Sequence, residues 1–286
     1  MTERAARAAI SAIGGLGPAR FRKLLEAFGS ASATLDAAPD DIEAAGVSVE
    51  LAEQIAQVGP HLEQVEAELL ALEDQGVRCL TWDDSDYPAR LLRIASAPPV
   101  LWWSGAVEPN AARAVAIIGS REAADKAIAY ARQGGGELSR AGIAVISGLA
   151  AGVDAAAHEG ALAGNGLTVG VCGCGIATAL SKGRGGLAGR VAEAGALCSE
   201  LSPTASLLPQ SLFARDRIIA GLADAVIVVE ARADGGAVHT ARFALQESRP
   251  VFVVSWPDMP AGNRQLAGEG ATPLDPAQDA LSALTA

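Results

Sequence analysis

Ile143-Ala144-Val145-Ile146-Ser147-Gly148-Leu149-Ala150-Ala151-Gly152-Val153-Asp154-Ala155-Ala156-Ala157-His158 is the stretch whose reading decides the fold class. A short apolar run meets a turn bracketed by glycines, and an alanine-rich helical stretch comes next. The run does not alternate apolar with polar residues, so it predicts a strand covered on both faces. Glycine at the turn permits the backbone angles needed to swing from strand to helix.

The same unit recurs on both sides of it. Val115–Ile118, Leu167–Val171, Ala196–Ser199, Ala225–Val229 and Val251–Val254 read as further buried strands. Helical stretches at about 124–140, 154–163, 186–194, 214–222 and 237–248 separate them. Strands alternating with helices of this length predict an α/β protein with a doubly wound, mostly parallel sheet. Upstream, residues 77–112 are transitional. Val77–Trp82 and Val100–Trp103 suggest strands, with Pro88, Pro98, Pro99 and Pro109 between and after them. Trp102 and Trp103 are read as packing residues.

The first ~75 residues have helical spacing. Ile10, Ile13 and Leu16 precede a glycine-rich turn, and Phe21, Leu24, Leu25 and Phe28 share one face. Leu62, Val65, Leu69 and Leu72 mark a later helix. The expected division is therefore a helical unit at 1–75 and a sheet-bearing unit at 76–286. The turn Leu16-Gly17-Pro18-Ala19-Arg20 resembles a helix-hairpin-helix, in which a backbone can approach a phosphate.

Composition narrows the class. Half of the 286 residues are hydrophobic and 19% are charged, which is ample for a core and excludes wholesale disorder. No apolar run reaches the ~18 residues of a membrane span. The N-terminus lacks a signal-peptide core, so a cytoplasmic protein with no membrane association is expected. Four cysteines are too few for a disulfide scaffold. Cys172-Gly173-Cys174 has the wrong spacing for a zinc knuckle, so no metal site is expected. The net charge is −11, from 22 basic and 33 acidic residues. Its distribution matters more than its total. Residues 1–29 carry five basic and two acidic groups, 30–112 carry three and 15, and 113–286 carry 14 and 16. The acidity sits in one segment, which leaves room for a basic groove elsewhere.

In a doubly wound sheet, ligands sit at the carboxyl ends of the strands. Here those ends read Gly119-Ser120-Arg121, Ser147-Gly148, Gly173-Cys174-Gly175 and Asp234-Gly235-Gly236 before Thr240. Gly-rich turns leading into helix N-termini favour anions. The backbone N–H groups of Gly148, Gly173, Gly175 and Gly236 are the expected phosphate donors. Neither a dinucleotide G-x-G-x-x-G after the first strand nor a P-loop is present. Cations stand on several separate loops: Arg121, Lys182, Arg184, Arg215, Arg217 and Arg264 beside Asn263. That spread suits an extended anion better than one small phosphate, and phosphate contacts carry no sequence code. Phe213 and Trp256 are the aromatics that could stack on bases, with core packing the alternative.

Together these stretches resemble the DNA-processing protein A family (DprA, or Smf). The match lies in Val115–Arg121, Ser147–His158, Gly173-Cys174-Gly175, Arg217-Ile218-Ile219-Ala220-Gly221-Leu222 and Gly262-Asn263-Arg264. The resemblance implies an extended Rossmann-like domain behind a small all-α SAM-like or helix-hairpin-helix domain. The winged helix that ends some members has no counterpart. It implies single-stranded DNA binding without catalysis or cofactor, and loading of a RecA-type recombinase in natural transformation. It also implies a homodimer joined through the Rossmann-like domain, and a binding pocket using Arg121 and Lys182. Several positions depart from the family pattern. Ala151 stands where arginine is usual, and Asp216 where asparagine is usual between two arginines. Gly235-Gly236-Ala237 replaces Ser-Gly-Ser, and Leu180-Ser181 replaces Tyr-Pro before Lys182. These changes predict weaker, more salt-sensitive binding. Gly134-Gly135-Gly136 is expected to interrupt the first crossover helix.

Two other readings compete. One is a nucleotide-binding enzyme or sensor similar to the cytokinin-activating phosphoribohydrolases. Their glutamate after the Gly-Gly/threonine loop is missing here, where Ala241-Arg242-Phe243 come after Thr240. Glu230 is the best remaining acid, and it reads more readily as a loop cap; His158 and His239 read as packing residues. The other is a degenerate member acting as an interaction module through the acidic 30–112 segment.

Overall fold

Strands that are apolar on both faces require helices above and below them, and the chain supplies both. The structure is a computed structural model that describes residues 2–110, 113–181, 183, 185–278 and 280–281. Six helices come first: α1 (Glu3–Ser11), α2 (Pro18–Phe28), α3 (Ala31–Asp36), α4 (Pro39–Ala44), α5 (Val49–Ala56) and α6 (Leu62–Asp74). Local chemistry sets their ends. Ser30 Oγ accepts from Ala33 N at 3.0 Å and caps α3, and Pro18 occupies the first turn of α2. Gly29, at φ 80°, stops α2 in the left-handed region. Ile10, Phe21, Leu24, Ile42 and Ile55 form this unit's own core. Trp82, just past the first strand of the sheet, packs against that core as well as against the core beneath the sheet. Phe21 meets the Trp82 ring edge-on at 5.7 Å, and the Arg22 guanidinium lies 4.7 Å over it.

The remaining elements are β1 (Val77–Thr81), α7 (Ala89–Leu92), β2 (Val100–Gly105), β3 (Arg113–Ile118), α8 (Asp125–Arg140), β4 (Ile143–Ser147), α9 (Val153–Ala163) and β5 (Thr168–Val171). Then come α10 (Ile176–Leu180), α11 (Leu187–Ala194), β6 (Ala196–Ser199), α12 (Pro209–Leu222), β7 (Ala225–Val228), α13 (Gly236–Gln246), β8 (Val251–Val254), α14 (Ala261–Gly268) and β9 (Thr272–Leu274). The sheet runs β1-β2-β6-β5-β4-β3-β7-β8-β9. β6 through β9 pair in parallel, while β1 and β2 pair antiparallel at one edge. Alternate residues of β3 face two different cores. Val115 and Ile117 pack with α8 and α9, whereas Ala116 and Ile118 pack with α12 and α13. This is the doubly wound, mostly parallel architecture behind a helical N-terminal region.

Trp102 and Trp103 pack as expected, and the Trp103 indole donates to Val107 O at 2.9 Å. One expectation fails. Gly134-Gly135-Gly136 does not interrupt the first crossover helix, because α8 runs unbroken from Asp125 to Arg140. All three glycines are buried, and a Cβ on Gly135 would lie 2.2 Å from Ala157 O of α9. The lost helix propensity is the cost of bringing two helix backbones into contact. His158 is fully buried as a packing residue, with Nδ1 2.7 Å from Thr168 Oγ1. Burial lowers its pKa to about 4, so it is neutral at physiological pH.

Candidate functional site

β3 has β4 on one side and β7 on the other, so successive connections leave it in opposite directions. At such a switch point the loops part and leave a crevice beyond the strand ends. A cleft of about 500 Å³ opens there. It is lined by the Gly119-Ser120-Arg121 loop, Ala150 and Asp154, the first turns of α12, and the Gly235-Gly236 loop with Thr240.

The near wall is built from backbone. Ser120 N donates to Glu230 O at 2.7 Å, and Val153 N donates to Ser120 O at 3.2 Å. Gly152 makes this possible: its φ is +81°, and a Cβ there would sit 2.3 Å from Ser120 O. Arg121 is left exposed on the rim. The far wall is apolar. Leu212, Phe213 and Ile219 line it from α12, and Phe213 is 58% exposed with its ring 5.4 Å from that of His239.

The floor holds a charge cluster of Asp154, Arg215 and Asp216, all buried. Arg215 Nη1 donates to Gly148 O at 2.5 Å and Val171 O at 3.3 Å, and its Nε lies 3.3 Å from Asp216 Oδ1. Asp154 Oδ2 accepts from Gly148 N at 3.2 Å. Burial pushes the Asp154 carboxyl up, against the pull of Arg215. Burial likewise raises Asp216 to about 6, helped by Asp154 and opposed by Arg215 and His239. The folded chain thus holds the Asp216 proton more tightly than the unfolded chain. Asp216 favours the fold at acid pH, and that contribution is lost as pH rises from about 4 through about 6. Asp216→Asn is therefore expected to be up to about 3 kcal/mol more stable than the parent at pH 7.5 and no more stable near pH 4. Urea unfolding at the two pH values checks this.

The cleft brings together Gly119, Ser120, Arg121, Arg215, Gly235, Gly236 and Thr240 of the expected binding residues. Other expectations are corrected. Arg215 is buried, donates from Nη1 to the carbonyls of Gly148 and Val171 and is ion-paired with Asp216, so its guanidinium is engaged within the protein rather than exposed on the rim. Arg217 is held by Glu200 through two bonds of 2.7 and 2.6 Å and by Ser96 O at 2.9 Å. Ser147 is buried and donates to Ile117 O at 2.7 Å. The N–H groups of Gly148 and Gly175 are taken, the latter by Ala205 O at 2.9 Å. Gly173 is a packing position, where a Cβ would meet Leu212 at 2.8 Å. Asn263 is buried and braces strand ends, accepting from Ala231 N at 2.8 Å and donating to Val229 O and Val254 O at 3.0 Å. Arg264 donates to Met259 O at 3.0 Å and does not line the cleft. Lys182 and Arg184 lie outside the described residues. Of the two candidate stacking aromatics, Phe213 is on the cleft wall, whereas Trp256 is buried and donates to Val229 O at 2.9 Å. Glu230 acts as a cap: its carboxylate accepts from Ala124 N at the start of α8, at 3.2 and 3.3 Å. Sequence reasoning misses Asp154 as a floor residue. Its signal is an acid in the first turn of a helix directly after a Gly-rich loop.

A doubly wound sheet with its crevice at the switch point and an α-helical N-terminal region defines an extended Rossmann-like ligand-binding protein. Residues 78–285 match the family described as DNA recombination-mediator protein A, and residues 14–71 match the DprA-like N-terminal HHH domain. The chain belongs to that DNA-processing family. It is 34% identical over 265 residues to Protein Smf of Synechocystis, covering 91% of this chain and 66% of that protein. It therefore spans just under two thirds of that curated relative's length. The X-ray structure of DNA processing protein A from Streptococcus pneumoniae superposes with a TM-score of 0.79 at 25% identity, covering 100% of this chain and 98% of that one. A Helicobacter pylori DNA processing protein A, whose structure is described for its single-stranded DNA binding mode, shares the fold. Its TM-score is 0.61 at 24% identity, covering 69% of this chain and 90% of that one. Among the described residues, no helix is long and apolar enough to cross a membrane.

Proposed function

We propose that the cleft binds single-stranded DNA, by electrostatics and stacking rather than by catalysis. The observation that carries this reading is the pairing of exposed Arg121 with exposed Phe213 across one cleft. A guanidinium on the rim grips a phosphate, and a ring on the facing wall offers a platform for a base. Membership of the family supports the ligand, as does the Helicobacter pylori protein's DNA-binding mode. Lys182 joins Arg121 as the second phosphate contact on the strength of the family resemblance. The same reading has the chain act as a homodimer through its Rossmann-like unit, 76–286, and hand its strand to a RecA-type recombinase during transformation. The helical unit, 1–75, flanks that task.

Fluorescence anisotropy with a labelled ~30-nucleotide single strand tests it. The wild type is expected to bind saturably, with affinity falling as salt rises. Arg121→Ala combined with Lys182→Ala is expected to bind at least about tenfold more weakly. Its log–log salt slope should be shallower by about two, one per lost phosphate contact. Absence of binding at low salt in the wild type would sink the proposal.

A further inference from the structure

Among the described residues, three of the six large apolar side chains that stand exposed fall within one seven-residue segment. They are Leu207, Leu208 and Phe213, at 56%, 49% and 58% exposure. A single exposed leucine is ordinary, whereas a cluster of this kind marks a contact surface. The stretch 201–214 that carries it contains no Asp, Glu, Lys or Arg, in a chain of net charge −11. It forms the loop after β6 and the first turns of α12, and Phe213 belongs both to the cluster and to the cleft wall.

The main chain holds these side chains in place. Gly175 N donates to Ala205 O and Ala177 N donates to Pro203 O, both at 2.9 Å, which ties the loop to the start of α10. Leu208 N donates to Ser211 Oγ at 3.2 Å, and Ser211 N returns a bond to Leu208 O at 3.1 Å. Leu207 Cδ1 and Leu212 Cδ2 both come within 3.2 Å of the point where a Cβ on Gly173 would stand. Leu207 therefore sits beside Leu212, which lines the cleft. Leu208 and Leu212 are four residues apart at the start of α12, the spacing that puts two side chains on one helix face. One apolar strip thus leads from Phe213 out of the cleft.

What covers the strip follows from what stands opposite it. In the reading above, Arg121 holds phosphate on the facing rim, which turns the bases toward the α12 wall. A strand that leaves the cleft on this side carries its next bases over Leu212, Leu207 and Leu208. No carboxylate in 201–214 repels its phosphates. We propose that Leu207 and Leu208 extend the Phe213 wall into a platform for the bases of the strand outside the cleft. The inference rests on the single-stranded DNA reading above and gives the strand a path beyond its first contact. Apolar contact with base faces is sequence-tolerant, so the platform takes any base.

The experiment uses the full chain and a labelled ~30-nucleotide oligothymidylate, with affinities measured by anisotropy across a salt series. Leu207→Gln combined with Leu208→Gln is expected to bind about tenfold more weakly than the wild type at every salt concentration. Its log–log salt slope is expected to match that of the wild type, because no phosphate contact is lost. Leu208→Gln alone, should the double variant fold poorly, is expected to bind about threefold more weakly at the same slope. Leu70→Gln, at a 65% exposed leucine of α6, is the control and is expected to bind as the wild type does. Wild-type affinity in the Leu207 and Leu208 variants would overturn the platform and leave strand binding intact. A shallower salt slope in them would overturn it too, by showing that phosphate contacts had been disturbed. Sedimentation of the same proteins tests a second copy as the occupant: loss of a dimer in the double variant would assign the strip to self-association and overturn the proposal. Failure of the wild type to bind the strand even at low salt would bring down the DNA reading itself.

Discussion

Gly160→Ala is expected to destabilise the protein by about 2–3 kcal/mol, although alanine is the better helix former. A Cβ at this position of α9 would lie 1.8 Å from Arg132 O and 2.7 Å from its carbonyl carbon. Both are backbone atoms of α8, so no rotamer change relieves the overlap. The contact is reciprocal, since Gly135 of α8 approaches Ala157 O of α9 at 2.2 Å on the same measure. The helices would have to separate, and Ala131, Ala156 and Ala157 would lose contact with the core that includes Val115 and Val145. Gly268→Ala is the control, at the last residue of α14, where a Cβ meets nothing within 4 Å. It is expected to leave the melting temperature unchanged or slightly higher. Thermal unfolding of the two variants beside the parent decides the matter. An unchanged midpoint for Gly160→Ala would contradict the close approach of α8 and α9.

Arg215→Met is expected to cost more, about 3–5 kcal/mol at pH 7.5. The methionine fills much of the arginine's volume but leaves Asp154 and Asp216 buried without their shared cation. It also strips the carbonyls of Gly148 and Val171 of a donor. Both carboxyls already sit above the ordinary carboxylate range, and losing the guanidinium raises them further. Protonation removes the uncompensated charge, so the penalty should shrink markedly by pH 5. Urea unfolding followed by tryptophan fluorescence at pH 7.5 and pH 5 reads this out. An equal loss at both pH values would mean that packing, not charge, is what Arg215 supplies.

Arg215 also shows why the site is harder to read than the fold. The strands are legible because each is a short apolar run whose ends coincide with glycine or polar residues. Ile143–Ser147, Ala196–Ser199 and Val251–Val254 have the predicted bounds. β9 escapes because it is a three-residue edge strand containing Pro273, and prolines ordinarily argue against strands. α12 begins at Pro209 rather than 214: proline suits the first turn, but Gln210 and Ser211 hide the helical pattern. Several cations fail as predicted ligand groups for one shared reason. Sequence gives the identity of a charge and its nearest loop, but not the direction in which a helix turns it. Glu200, which pairs Arg217, is 17 residues away in the chain, and Gly148, which receives Arg215, is 67 away. The Gly119-Ser120-Arg121 and Gly235-Gly236 loops are legible because backbone geometry, not side-chain direction, puts them at the switch point.

The bonds that tie Ser120 to Glu230 and Val153 have a kinetic consequence. Three loops from three strands are latched to one another by main-chain bonds, with Gly152 as the hinge pin that lets them close. The backbone of the cleft's near wall is held by these bonds before any ligand arrives, so little backbone entropy is lost along that wall on capture. Association at this mouth should then be governed by how often a strand collides in the right orientation, and by the field it crosses on the way. Temperature and viscosity would act on the on-rate as they act on diffusion, and the length of a bound state would be set by how well each nucleotide fits once inside.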